Sequence, residues 1–204
     1  MSREDEPRVL LTSFGPFGGL SRNPSETIMS LVSEEIGGAI VDKVVLPVET
    51  ATVREILPAR YGAGYALVIH TGVALDRPCV SIERIALNLL DFDADERGER
   101  RVEVAIEEGA PLALSARLPI RNILERWRAA GIEGRASTSA GTFLCNQVMF
   151  MALRALPETT RAGFIHVAPD ESLAATVDRF QPAATQARAI ELAIEVVLGE
   201  LRLD

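Results

Sequence analysis

Three features of the chain predict an α/β fold, a single domain with a mostly parallel central sheet and helices on both faces. Short uncharged apolar runs such as YALVIHTG (65–72) and AGFIHVAP (162–169) read as strands buried on both sides. Segments with apolar residues at helical spacing separate them, and this alternation is what a parallel sheet with crossover helices requires. With 204 residues, 48% of them hydrophobic, the chain can fill one core of ordinary size and does not call for a second domain.

Taken in order, RVLLTSF (8–14) reads as a short buried strand that runs into a Gly/Pro turn. The following NPSETIMSLVSEEIG reads as a helix with Asn23 as cap, Pro24 in the first position, and Ile28, Leu31, Val32 and Ile36 as the apolar stripe. IVDKVVLPV (40–48) is a second strand, ended by a proline, and ETATVREILPARY a shorter helix. YALVIHTG is a strand stopped by glycine. SIERIALNLLDF (81–92) fits neither the strand nor the helix period, and the charged piece from Asp93 to Arg101, with Gly98, reads as an exposed loop. PLALSARLPIRNILERWRAAGI (111–132) passes from an extended piece into a helix from Pro119, closed by Gly131. ASTSAGTFLCNQVMFMALRAL (136–156) is a strand end and turn feeding a helix. AGFIHVAP is the last strand and TQARAIELAIEVVLGELR the terminal helix.

Composition narrows the function. A formal charge of -8 opposes binding to nucleic acid or to an anionic membrane, since both present an unfavourable long-range field. No apolar run approaches the roughly 18 residues of a membrane span, and MSREDEPRVLLT is acidic where a secretory leader is basic, so the expected location is cytoplasmic. Two cysteines, Cys79 and Cys145, and two histidines, His70 and His166, show no metal-ligand spacing, and no metal is expected. Neither G-x-G-x-x-G after the first strand nor G-x-x-x-x-G-K-[ST] is present, which argues against a dinucleotide or triphosphate.

Cys145 lies near the start of a helix that follows the small-residue turn SAG, where unpaired N–H groups favour a thiolate and can receive an oxyanion. His166 is near the carboxyl end of a strand, on the rim where open α/β sheets collect ligands. Imidazole suits a base that must later return its proton to a leaving nitrogen. Glu83, a carboxylate between Ile82 and Ile85, needs a partner and is the candidate to orient that ring. On residue types alone each retains an ordinary structural reading: Cys145 as buried filler, His166 and His70 as core histidines, Glu83 as an exposed partner of Arg84 or Arg77. His70 with Cys79 is the alternative dyad.

Four segments in order resemble the pyroglutamyl peptidases, also called pyrrolidone-carboxylate peptidases, a family of cytosolic cysteine peptidases. LLTSFGPFGG with the following NPS is similar to the family's T-G-F-x-P-F-G-G and N-P-S, and SIERIALN to its E-R-x-A-x-N. SAGTFLCN is similar to A-G-T-[FY]-x-C-N, and GFIHV to G-F-[IL]-H-[VI]. The resemblance spans nearly the whole chain, 1–204, as one catalytic domain. It implies Cys145 as nucleophile, His166 as general base and acid, and Glu83 as the group orienting the histidine. It also explains two phenylalanines in a Gly/Pro turn: Phe14 and Phe17 would grip the flat faces of a pyrrolidone ring whose amide edge is read by polar groups.

The same resemblance implies hydrolysis of the amide bond after an N-terminal pyroglutamyl residue through a thioester, with blocked peptides as substrates, no cofactor, and a homodimer or homotetramer. Exposed apolar positions in NLLDF are the expected subunit contacts. Val73 stands where the family often has a glutamine of the substrate pocket, and Arg77 keeps the basic position that closes that segment. Ser13 replaces a glycine, Gly15 an acidic residue, and DADERG only loosely matches the family's R-I-P-D-N. These departures fall on substrate contacts. Two rivals are an amidase for another cyclic or blocked substrate and a pocket that binds without turnover.

Overall fold

In the computed structural model, which describes residues 6–203, the first apolar run forms β1 (Arg8–Phe14), buried from Val9 onward. A Gly/Pro turn leads to α1 (Pro24–Leu31), whose start is capped as the sequence predicts, the Asn23 side chain accepting from the Ser25 N–H. This helix is shorter than its stripe suggested. Leu31 is exposed, and Ile36 belongs instead to β2 (Glu35–Ile36), which turns through Gly37 and Gly38 into β3 (Ala39–Leu46). Both glycines have positive φ, the conformation a tight hairpin demands and L side chains resist. Next come α2 (Thr50–Tyr61) and β4 (Leu67–Val73), buried throughout.

The ambiguous segment resolves into extended pieces: β5 (Val80–Glu83), β6 (Ile85–Leu87) and β7 (Leu90–Phe92). Neither period was clear because β6 and β7 leave the main sheet and pair with β9 (Ala113–Ser115) and β8 (Arg101–Val104) in two small ribbons. The loop from Asp93 is mostly exposed, but Asp95 is buried and accepts from the backbone N–H groups of Thr50, Arg97 and Glu99, tying the loop to the start of α2. The chain continues through α3 (Ile120–Ala129), β10 (Gly134–Ser137), α4 (Leu144–Ala155), β11 (Arg161–Val167) and α5 (Ala183–Leu201).

The seven-stranded sheet has the order β10-β5-β11-β4-β1-β3-β2. Its centre, β11-β4-β1-β3, is parallel, and β10 runs parallel to β5, while β5 against β11 and β2 against β3 are antiparallel. Helices α1, α3 and α5 cover one face around Ile28, Trp127, Ile190 and Ile194, and α2 and α4 cover the other around Leu10, Leu57, Val148 and Phe150. Each such fully buried side chain contributes about 1.5–3 kcal/mol of apolar transfer. Among the described residues no helix is long and apolar enough to cross a membrane, and no group of three or more His, Cys, Asp or Glu side chains could hold a metal ion.

Within NLLDF the apolar side chains are less exposed than expected, Leu89 and Phe92 being half-buried. Leu90 is fully buried and Phe92 packs edge-on against Phe143, with ring centroids 4.8 Å apart. Exposed apolar side chains are found instead at Val102 and Val104 of β8 and at Leu112.

Candidate active site

Strand alternation brings the candidate residues onto one face. His166 and Gly72 are register partners in the parallel pair β11–β4, so their Cα–Cβ directions leave the sheet on the same side. That side carries Thr12 and Phe14 of β1, His70 of β4 and Phe164 of β11, and it is the face that α2 and α4 cover. In the antiparallel pair β11–β5, His166 faces Ser81, and Glu83 lies two residues further on, at the diagonal position that long side chains can span. The span is closed: His166 Nδ1 and Glu83 Oε1 are 2.7 Å apart, with both residues buried.

The sulfur comes from the helix side. Cys145 is the second residue of α4, and the helix starts at Phe143 without a side-chain cap, leaving its first N–H groups free of that competition. Its thiol descends into the volume that Gly72 leaves open. A Cβ placed on Gly72 would lie 2.9 Å from Cys145 Sγ, 3.1 Å from Phe164 Cζ and 3.3 Å from Phe14 Cδ2. Gly72 is the lateral neighbour of His166, so the sulfur packs against the strand position next to the one that carries the imidazole. With Nδ1 bonded to Glu83, Nε2 is the ring nitrogen left for other work.

A small cavity of about 70 Å³ opens at Cys145, lined by Phe14, Phe17, Val48, Val73, Phe143 and Cys145 among others. Drug-sized ligand sites run to several hundred Å³. This one has room for a single small ring with apolar faces. Phe14 is almost completely buried and Phe17 half-buried, so the turn holds its rings inward against the pocket. Val73 is in the lining. Arg77 is not: its guanidinium is turned to Glu83 Oε1, and its second terminal nitrogen donates to the Ser139 carbonyl at 3.2 Å. Sequence reading missed Val48, Gly72 and Phe143. Phe143 was within reach, lying two residues before the cysteine in the SAGTFLCN turn, whereas Val48 and Gly72 carry no local signal.

Electrostatics correct one expectation. Burial pushes the Cys145 thiol up to about 12, the Glu83 carboxylate adds to this, and Arg77 and the cysteine's own backbone N–H only partly oppose it. The helix start therefore does not by itself yield a resting thiolate. His166 is lowered from 6.5, chiefly by burial, against the opposing pull of Glu83. Burial raises Glu83, but its hydrogen bond to His166, the charges of His166 and Arg77, and nearby Ser137 outweigh that and leave it below 4.5. At neutral pH the group is a thiol, a neutral imidazole and a carboxylate.

The alternative dyad is not assembled. His70 is fully buried with both ring nitrogens occupied, Nδ1 by Thr12 Oγ1 at 2.6 Å and Nε2 by the Tyr61 hydroxyl at 3.0 Å, and burial lowers it to about 3. It is a satisfied core histidine. Cys79 is buried at the start of the β5 region, and its thiol is raised, mainly by burial.

The sequence profile of the pyroglutamyl peptidase family matches residues 7–200. This chain belongs to that family. As a pyroglutamyl peptidase family member it is a hydrolase of the cysteine type. It is 38% identical over 202 residues to a pyrrolidone-carboxylate peptidase of Thermococcus kodakarensis, the match covering 95% of this chain and 97% of the relative. The crystal structure of pyrrolidone carboxyl peptidase from Thermus thermophilus superimposes with a TM-score of 0.89 at 46% identity, covering 92% of this chain and 98% of that one. The Thermococcus litoralis enzyme gives a TM-score of 0.90 at 37% identity, with coverages of 97% and 96%.

Proposed function

We propose that this pyroglutamyl peptidase family member is a cytoplasmic exopeptidase that hydrolyses the amide bond after an N-terminal pyroglutamyl residue, with Cys145, His166 and Glu83 as its catalytic group. The observation that supports the reading is the packing of the Cys145 sulfur against Gly72, the register neighbour of a histidine bonded to a buried carboxylate, with Cys145 in the lining of a pocket walled by phenylalanines.

With the lactam ring between Phe14, Phe17 and Val73, its exocyclic carbonyl carbon lies over the sulfur. The thiol proton passes to His166 Nε2 as the S–C bond forms, so charge separates on attack and not in the resting enzyme. Glu83 holds the imidazolium, and the uncapped N–H groups of α4 receive the oxyanion. His166 then gives its proton to the leaving amine as the C–N bond breaks. In the second half a water, deprotonated by His166, cleaves the thioester and restores the thiol. A pyroglutamyl end carries no ammonium, so it enters an apolar slot that a free amino terminus could enter only at a desolvation cost of several kcal/mol.

The decisive experiment compares turnover of a pyroglutamyl coumarylamide with its prolyl and glutamyl counterparts, and repeats it with Cys145→Ser. Turnover of the pyroglutamyl substrate alone, lost in the variant, is expected; comparable hydrolysis by Cys145→Ser would exclude the mechanism. Exposed Val102, Val104 and Leu112 support assembly into a homodimer or homotetramer, which light scattering reads directly.

A further inference from the structure

The catalytic reading leaves one charged group near the centre without a task. Arg77 lies in the connection between β4 and β5, its side chain is only 12% exposed, and it is outside the lining of the pocket. It makes two contacts. One guanidinium nitrogen meets Glu83 Oε1, the same oxygen that His166 Nδ1 engages, and the other donates to the carbonyl of Ser139. Ser139 belongs to the turn between β10 and α4 that delivers Cys145 to the sheet. Glu83 Oε2 makes no hydrogen bond with the protein. A carboxylate held at a single oxygen by the histidine alone would be free to rotate about its last torsion, which is broad for sp²-terminated side chains.

We propose that Arg77 is a positioning residue for the catalytic group, a planar fork that fixes the carboxylate of Glu83 against His166 and ties both to the turn carrying Cys145. This rests on the catalytic reading above and departs from a substrate-binding role for the same residue. Arginine suits the task because its rigid fork makes two bonds in fixed relative directions, whereas lysine offers a point charge. The guanidinium is also the cation nearest the group. Its charge lowers Glu83, His166 and Cys145 together, while the Asp76 carboxylate raises His166 and the Glu83 carboxylate raises both His166 and Cys145.

The test uses Arg77→Gln and Arg77→Lys in the full chain, with kcat, KM and the pH profile of kcat/KM measured on a pyroglutamyl coumarylamide. Arg77→Gln should lower kcat by about 10–100-fold, the scale of loss when a partner that orients a metal-ligating side chain is removed, with KM changed less than about twofold. Its acid limb should move to higher pH, because the cation holding His166 down is gone. Arg77→Lys should return the acid limb to its wild-type position but recover only part of kcat. A raised KM with kcat intact in Arg77→Gln would overturn the proposal in favour of substrate contact, and so would an unmoved acid limb. Should Arg77→Gln fail to fold, Arg77→Lys decides: full wild-type kcat overturns the proposal, and reduced kcat with an unmoved limb supports it. Wild-type turnover and its loss in Cys145→Ser are read in the same assay, so failure of the catalytic reading is distinguished from failure of the role given to Arg77.

Discussion

Gly72→Ala isolates the packing on which the chemistry depends. No positive φ is involved, so the substitution adds one methyl group and no backbone strain. That methyl carbon would sit 2.9 Å from Cys145 Sγ, with Phe164 and Phe14 closing off the other directions at 3.1 and 3.3 Å. Ordinary contacts lie near 3.5–4.0 Å, so the sulfur must retreat by about 0.6–1 Å. Overpacking of this kind costs about 1–3 kcal/mol of stability. The larger effect is kinetic, because a misplacement of about 1 Å in a reacting atom lowers the rate about 100-fold.

The assay pairs steady-state hydrolysis of a pyroglutamyl coumarylamide with urea unfolding, and uses Gly134→Ala as a control. There a methyl carbon would meet Trp127 at 2.4 Å, strain of similar origin at a site remote from the sulfur. Gly72→Ala should lose about two orders of magnitude in kcat while Gly134→Ala, though destabilised, keeps it. Wild-type kcat in Gly72→Ala would refute the dependence of catalysis on the packing of the thiol against Gly72.

Three further outcomes are expected. With the Cys145 thiol raised to about 12, inactivation by iodoacetamide should keep accelerating from pH 7 to pH 9, and a plateau reached below pH 7 would mean a resting thiolate–imidazolium pair. Val73→Gln, which adds an amide to the pocket wall, should lower KM for a pyroglutamyl amide by about 2–10-fold, the net value of one hydrogen bond; an unchanged KM would remove position 73 from recognition. His70 sits at about 3 when folded and near 6.5 when unfolded, so the unfolded chain takes up the proton first, and its stabilising contribution is complete above pH 6.5 and lost as pH falls towards 3. At about 1.4 kcal/mol per pH unit that gap limits the loss to roughly 4–5 kcal/mol, and urea midpoints of His70→Gln should decline less steeply between pH 6.5 and 4 than those of wild type.

The strands β1, β4 and β11 and the helices α2, α3, α4 and α5 were legible because each satisfies a local rule: an uninterrupted apolar run, a helical stripe, a proline or glycine at an end. The candidate triad was legible as residue types in three of the four short motifs. The segment 81–92 was not, because β6 and β7 are pinned by β9 and β8, partners far along the chain that no local period reveals. The end of α1 was misjudged for a similar reason: Ile36 is apolar at the right spacing, but a Gly-Gly hairpin and pairing with Ala39 claim it for the sheet. Arg77 shows the limit from the other side, since its place six residues before Glu83 says nothing about which way the guanidinium turns.

Local pattern and residue chemistry settle which segments are buried, that an α/β sheet must form, and which few side chains are able to act as nucleophile, base and carboxylate. Juxtaposition and charge state belong to the assembled molecule. The thiol packs against the strand neighbour of the histidine because register sets an empty glycine there, and whether that sulfur rests protonated depends on burial and on a carboxylate 62 residues away in sequence, fields that exist only once distant strands have met.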